Sequence, residues 1–208
     1  IVEKDINIIK RLKSNFPKVE FYNNFSKVPL EKYNGYIVAT PANTHYKITK
    51  EIIKHNKHLL IEKPMTISLS ESKEIYDLSL EKNVNVMVGH VLLFHPAFIK
   101  IKQLINEGII GKIQYLYSNR LNLGKIRTHE NVFWSFAPHD IALFQYFINN
   151  APKEINSEGI CHVQSGIHDT TITTIKYPNN IMGHIFVSWL HPFKEHRFVV
   201  VGSKGMIS

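Results

Sequence analysis

His58-Leu59-Leu60-Ile61-Glu62-Lys63-Pro64 is the stretch that decides the fold. A short apolar run followed by a charged pair and a proline reads as a strand that delivers a lysine to its C-terminal end. Pro64 disfavours helical geometry at Lys63, so the backbone there is expected to stay extended. In an open α/β sheet, ligands bind beyond the carboxyl ends of the strands. A lysine held there can carry a proton or act as an electrophile instead of standing as a solvated charge. Alone the tripeptide is a weak signal; its surroundings give it weight.

Working outward, strand and helix signals alternate through the first third of the chain. Ile1-Val2 reads as the end of a strand, and Ile6, Ile9 and Leu12 recur at helical spacing. Val19 to Tyr22 reads as a short strand and Gly35 to Ala39 as a buried one. A helix over 43–56 turns Ile48, Ile52 and Ile53 inward before the Leu59–Ile61 strand. Ser68 and Glu71 have capping-box spacing at the head of a helix carrying Ile75 and Leu78, and Val84 to Val88 is again strand-like. Such alternation predicts a parallel sheet with helices on both faces.

Beyond Phe94 the pattern changes. Pro96 opens a helix with Phe98, Ile101 and Leu104 inward, closed by Gly108 and Gly111. Lys112 to Leu123 alternates as a long strand, and Phe136 to Ile148 is an apolar helix begun by Pro138. From Lys153 onward only strand signals remain, over 154–164, 170–177, 181–190 and 196–201. Pro178-Asn179-Asn180 and Pro192 mark turns between them. Successive strands without helices between them predict antiparallel sheet. The expected class is α/β: a Rossmann-type parallel sheet followed by an α+β domain with a largely antiparallel open sheet. The expected domains are 1–92 and 93–208, joined near Val91–His95. Both termini read as cuts through ordered structure.

Bulk properties narrow the function classes. The chain has 208 residues, 44% hydrophobic and 20% charged, as in soluble globular proteins. No apolar run approaches the roughly 18 residues of a membrane helix. The single cysteine, Cys161, excludes an internal disulfide and fits a reducing, cytoplasmic setting. A net charge of +8 suits anionic ligands. The lysines are scattered, however, so neither a nucleic-acid nor a membrane partner is expected, and no metal cluster stands out.

Several further segments carry chemistry. Ala39-Thr40-Pro41-Ala42-Asn43-Thr44-His45-Tyr46, Glu62-Lys63-Pro64 and Gly89-His90 with Pro96-Ala97 together resemble the glucose–fructose oxidoreductase/inositol dehydrogenase (Gfo/Idh/MocA) family. Two later stretches resemble a narrower branch of nucleotide-sugar 3-dehydrogenases: Ser118-Asn119-Arg120-Leu121-Asn122-Leu123-Gly124, and Trp134-Ser135-Phe136-Ala137-Pro138-His139-Asp140. The resemblance covers nearly the whole chain. It implies a dinucleotide-binding domain, then a substrate domain whose open sheet mediates homo-oligomers. No G-x-G-x-x-G occurs in these 208 residues. The pyrophosphate cradle such a loop supplies is expected about 25–30 residues ahead of Glu3, and this stretch by itself is expected to hold a dinucleotide poorly.

The resemblance also implies roles. Glu3, at the end of a strand, would accept hydrogen bonds from the adenosine ribose and repel a 2′-phosphate, favouring NAD over NADP. Thr40, Pro41 and Asn43 would line the cofactor, although Asn43 or Thr44 could equally be a plain helix cap. His45, Glu62 and Trp134 join the cofactor set, and a histidine in a first helical turn such as His45 is more often structural. Lys63 would lie near both nicotinamide ribose and reacting hydroxyl. A like charge and desolvation lower a lysine pKa, which suits proton transfer, and the charged form steadies a developing alkoxide.

His139 after Pro138 would occupy the positive end of a helix dipole, leaving a neutral ring able to accept a proton. Many relatives carry aspartate four residues earlier, where this chain has Ser135. Asp140 could cap the helix or meet substrate. Arg120, Asn122 and Arg127, with Asn119 and Lys125 nearby, suit a diphosphate or carboxylate, although ordinary surface charge explains them nearly as well. The reading is an NAD-dependent oxidation of a ring hydroxyl, at C3, of a nucleotide-linked amino sugar such as UDP-N-acetylglucosamine or its uronate. Lys63 and His139 manage the proton, and which is the base is open. Alternatives are a free inositol or glucose dehydrogenase, or a non-catalytic dinucleotide- or sugar-binding relative.

Overall fold

The computed structural model describes every residue of Ile1–Ser208 except Lys125 and His129. The chain divides into two compact units, Ile1–Gly89 and His90–Ser208.

In the first unit, three short apolar runs form a parallel sheet: β1 (Gly35–Val38), β2 (His58–Ile61) and β3 (Val86–Val88), in that order. Helix α1 (Ile6–Asn15) precedes the sheet, its N-terminus capped by the Asp5 carboxylate. Helix α2 (Ala42–Lys54) crosses from β1 to β2, and α3 (Leu69–Glu81) from β2 to β3. Their inward residues Ile52, Ile53 and Ile75 meet Val38, Leu59, Ile61 and Val84 in one core. Each fully buried isoleucine there contributes roughly 1.5–3 kcal/mol. The expectation of helices on both faces is not met. Because β1, β2 and β3 succeed one another in one direction across the sheet, α2 and α3 lie side by side on one face and share its core. Ile37 and Met87, pointing the other way, are 73% and 47% exposed.

Three local expectations also change. Val19–Tyr22 is not a strand: Val2 and Tyr22 share a single parallel bridge. The Glu3 amide donates to the Tyr22 carbonyl at 3.0 Å. Ser68 starts α3 but its side chain caps nothing. Thr66 serves that end instead, its hydroxyl donating to the Ser68 carbonyl at 2.6 Å and accepting the Ser68 amide at 3.2 Å. Asn43 does not cap α2, because Pro41 holds the N-cap position. Asparagine takes the left-handed places that glycine commonly fills at helix ends: Asn56, Asn83 and Asn149 have φ of 55°, 51° and 53°.

In the second unit, α4 (Pro96–Asn106) begins as expected, with Pro96 in its first turn and the His95 imidazole accepting the Ala97 amide. A six-stranded sheet follows, in the order β5-β6-β7-β4-β8-β9. The strands are β4 (Ile113–Leu121), β5 (Glu154–Ile160), β6 (Thr170–Lys176), β7 (Met182–Ser188), β8 (Glu195–Gly202) and β9 (Met206–Ile207). All neighbours are antiparallel except the central pair β4 and β7, which run parallel. Helix α5 (Val132–Ile148) covers one face, burying Leu143, Phe144 and Phe147 against Leu116, Ile185, Val187 and Val200. Gly183 makes room for this contact, since a Cβ there would lie 2.5 Å from the Phe144 ring. No helix among the described residues is long and apolar enough to cross a membrane.

Helix α5 starts six residues before Pro138. Asn131 is its N-cap, accepting the Trp134 amide at 3.0 Å. Pro138 lies inside the helix, where its missing N–H leaves the Trp134 carbonyl without the usual i→i−4 donor. His139 therefore sits in the second turn, past the reach of the terminal dipole. This differs from the expected place of His139 at the positive end of the helix dipole.

Candidate active site

In the first unit the chemistry gathers where the three parallel strands end. Backbone bonds extend the pairing past each strand: the Glu62 amide donates to the Val38 carbonyl at 2.8 Å, and the Gly89 amide to the Ile61 carbonyl at 2.7 Å. Glu62 is exposed and Lys63 half-buried. The Lys63 amide donates to the Glu62 carboxylate at 3.2 Å, and the Lys63–Pro64 peptide is cis. Buried Gly89 lies beside this corner, where a Cβ would stand in ordinary contact, 3.5 Å from the Glu62 carboxyl group and 3.4 Å from the Ile61 carbonyl. At the end of β1, the Thr40 and Thr44 hydroxyls pair at 2.6 Å, and Thr44 donates to the Pro41 carbonyl at 2.7 Å. Thr40, Pro41 and Asn43 are exposed there.

His45, by contrast, is only 1% exposed, and both ring nitrogens face backbone carbonyls, of Pro64 and Thr40. It is enclosed beneath the strand ends, which differs from the expected place in the cofactor lining. Glu3 lies apart from these residues in sequence and in pairing. Its carboxylate accepts the Asp5 amide at 2.9 Å, just ahead of α1.

In the second unit, α5 presents Ser135 and, one turn on, His139; Ser135 is buried and His139 half-buried. Asp140, next to it, turns toward β4 and is completely enclosed. It accepts the Ser118 hydroxyl at 2.7 Å and two guanidinium N–H groups of Arg120, at 3.0 and 2.8 Å. The sequence suggests a diphosphate for the Arg120 fork, and substrate or the α5 cap for Asp140. Here the fork is committed to Asp140, because a buried carboxylate demands charged or hydrogen-bonded partners. The pair ties α5 to β4. Beside it, burial and then the positive charges of Arg120 and Lys194 lower the pKa of His196.

The other expected substrate residues are spread out. Asn122 follows β4, its backbone N–H donating to the Ser188 carbonyl at 3.1 Å. Arg127 is over half exposed and donates to Glu130 at 2.6 Å. Lys125 lies outside the described residues. Trp134 is 38% exposed in the first turn of α5. A further buried carboxylate lies just ahead of β6. Asp169 accepts the backbone amides of His162 and Val163 at 2.6 and 2.9 Å and faces the His162 ring at 3.0 Å. Nothing in the local pattern signals it, since its partners belong to a loop six and seven residues earlier.

Two family models describe this architecture. Residues 2–90 match the oxidoreductase family with an NAD-binding Rossmann fold, and residues 98–208 match the GFO/IDH/MocA C-terminal domain. The chain belongs to the GFO/IDH/MocA oxidoreductase family. Within it, an uncharacterized oxidoreductase of Streptococcus pneumoniae is 26% identical over 185 residues, covering 82% of this chain and 50% of the relative. The scyllo-inositol 2-dehydrogenase (NAD(+)) of Bacillus subtilis is 27% identical over 182 residues, 82% of this chain and 53% of its own length. The chain thus spans about half the length of these curated relatives. Among solved structures, the UDP-N-acetylglucosamine 3-dehydrogenase of Acidithiobacillus ferrooxidans superposes with a TM-score of 0.85 at 19% identity. That likeness covers 97% of this chain and 65% of that one, and speaks to the fold alone.

The residues present fit the dinucleotide of this family. Carboxylates at Glu3 and Glu62 can accept ribose hydroxyls, and the exposed Thr40 and Asn43 add a hydroxyl and an amide. Gly89 packs beside the Glu62 carboxylate without a side chain of its own.

Proposed function

We propose that the whole protein is an NAD-dependent dehydrogenase that oxidises a ring hydroxyl, at C3, of a nucleotide-linked amino sugar. The single observation that carries the reading is the half-buried lysine fixed at the carboxyl end of β2, in a unit matching the NAD-binding Rossmann fold. When bound, NAD accepts the hydride from the carbinol carbon. The chain's own groups bind, orient and manage the proton. Thr40, Pro41, Asn43, Glu62 and Glu3 hold the cofactor, with Trp134 as a stacking surface. A carboxylate at Glu3 disfavours the 2′-phosphate of NADP.

Lys63 and His139 act at the substrate hydroxyl. As its C–H bond breaks, the O–H proton passes either to the His139 ring, with the Lys63 ammonium steadying the oxygen's developing negative charge, or to Lys63 itself as the neutral amine. Ser135 and Asn122 contact the sugar, and Arg127 offers positive charge to the diphosphate. Arg120 and Asp140 act at one remove, by seating α5. The open face of the second unit's sheet, bearing Tyr117, His184 and the half-exposed Ile172, is suited to a second copy of the protein.

A second reading, a free inositol dehydrogenase, is favoured by the likeness to the scyllo-inositol 2-dehydrogenase. The test is a panel of UDP-sugars, scyllo- and myo-inositol and glucose offered to the whole protein with NAD, read by absorbance of the reduced nicotinamide. The proposal expects turnover with a UDP-amino sugar. Turnover confined to inositols would replace it with the second reading.

A further inference from the structure

The two ring nitrogens of His45 approach acceptors only. Nδ1 lies 2.9 Å from the Pro64 carbonyl oxygen and Nε2 lies 2.8 Å from that of Thr40. A carbonyl oxygen cannot donate, so each contact is a hydrogen bond only when that nitrogen carries a proton. A neutral imidazole satisfies one at a time, and the imidazolium satisfies both.

The location of the two carbonyls matters more than their number. Thr40 belongs to the segment leaving β1, and Pro64 to the segment leaving β2. The ring is thus a strut between the loops at the carboxyl ends of adjacent parallel strands. The Pro64 carbonyl comes one peptide after Lys63. On the other side of Lys63, the Glu62 amide is tied to the Val38 carbonyl at 2.8 Å. Lys63 is therefore held between two backbone anchors, and His45 supplies the second. Helix α2 seats the ring rigidly, because His45 and Thr49, one turn later, are both buried.

We propose that His45 is a positioning residue for Lys63, fixing the direction in which the lysine leaves β2. Its effect on turnover rests on the dehydrogenase reading, whereas the strut itself does not. A buried histidine with a single carbonyl partner would keep that partner when replaced by glutamine. The strut would not survive the change. Glutamine carries its two N–H groups on one nitrogen and an acceptor oxygen on the other arm, so it holds one carbonyl, opposes the second, and can never match the imidazolium, which holds both.

The test compares the whole protein with its His45→Gln and His45→Ala variants, the latter with and without added imidazole. Hydrogen exchange is read over 58–66, with β4 as the internal control, and steady-state kinetics with NAD are measured in parallel. In His45→Gln, exchange over 61–65 should rise about tenfold, the factor that ~1.4 kcal/mol or one good hydrogen bond represents. β4 should not change. Turnover should fall by about tenfold or more with KM for NAD within about threefold, as expected for misplacement of a reacting group. Imidazole added to His45→Ala should restore protection and rate together. Unchanged exchange over 61–65, or an equal rise in β4, overturns the strut. If the unaltered protein shows no turnover while the exchange pattern holds, the dehydrogenase reading fails and the strut stands. If the unaltered protein and His45→Gln turn over alike, the positioning role fails.

Discussion

Replacing Asp140 by alanine should destabilise the second unit more than any surface change in it. The Asp140 side chain is 0% exposed and that of Arg120 14%, so the pair is dry on one side and nearly so on the other. The carboxylate accepts three hydrogen bonds, from the Ser118 hydroxyl and two guanidinium N–H groups. Removing it strands a buried cation and a buried hydroxyl. Breaking a buried ion pair on one side costs about 3–5 kcal/mol, a large part of the ~5–15 kcal/mol that holds a typical domain together. The assay is urea denaturation, with the midpoint read by fluorescence of Trp189, which is buried in this unit's core. Asp140→Leu with Arg120→Met should recover most of the loss, because two apolar side chains of similar volume leave no charge unpaired. A cost below about 1 kcal/mol for Asp140→Ala would refute the reasoning. So would a double variant no more stable than the single one.

Three further outcomes are expected. Lys63→Ala should lower turnover by about 10²–10⁴-fold with little loss of NAD affinity, whereas a non-catalytic relative would show no turnover to lose. Glu3→Gln should raise the NADP-to-NAD ratio of kcat/KM by about tenfold, since it removes charge that opposes a 2′-phosphate; an unchanged ratio would take Glu3 out of the cofactor site. For Asp169, burial raises the carboxyl pKa, but the His162 ring and the amides of Val163 and His162 outweigh it, and the net shift is downward from 3.8. A lowered folded-state pKa contributes stability above the unfolded value that is lost as pH falls through the folded one. Asp169→Asn should therefore flatten the acid limb of the stability profile below about pH 4, as measured by denaturation across pH.

Much of the fold was legible because its signals are local. The apolar runs of β1 to β3, the helical spacing of Ile52, Ile53 and Ile75, and Pro96 at the start of α4 each announce an element within a dozen residues. What misled was equally local. Pro138 carries a strong helix-start signal, and it masked Asn131, the cap at the true start of α5. A proline inside a helix costs a hydrogen bond, and here the apolar length of α5, packed along the sheet, outweighs that cost. The Ser68 capping box lost to Thr66, whose hydroxyl reaches the same end of α3. The parallel union of β4 with β7 joins strands about 70 residues apart, and nothing in either strand states its partner.

The candidate site divides the same way. Lys63 at the end of β2 followed from the sequence because Ile61 and Pro64 bracket it. The Arg120–Asp140 pair did not, since twenty residues separate its members and each alone reads as a ligand contact. His45 was visible as a residue, but its role depends on two carbonyls that only the fold brings to it.

The most direct measurement for the central claim is a crystal structure of the whole protein with NAD and a UDP-amino sugar. The account predicts the Lys63 ammonium and the His139 imidazole within about 2.6–3.2 Å of one sugar hydroxyl oxygen. Either group pointing away from that oxygen, with no water to bridge the gap, would contradict it.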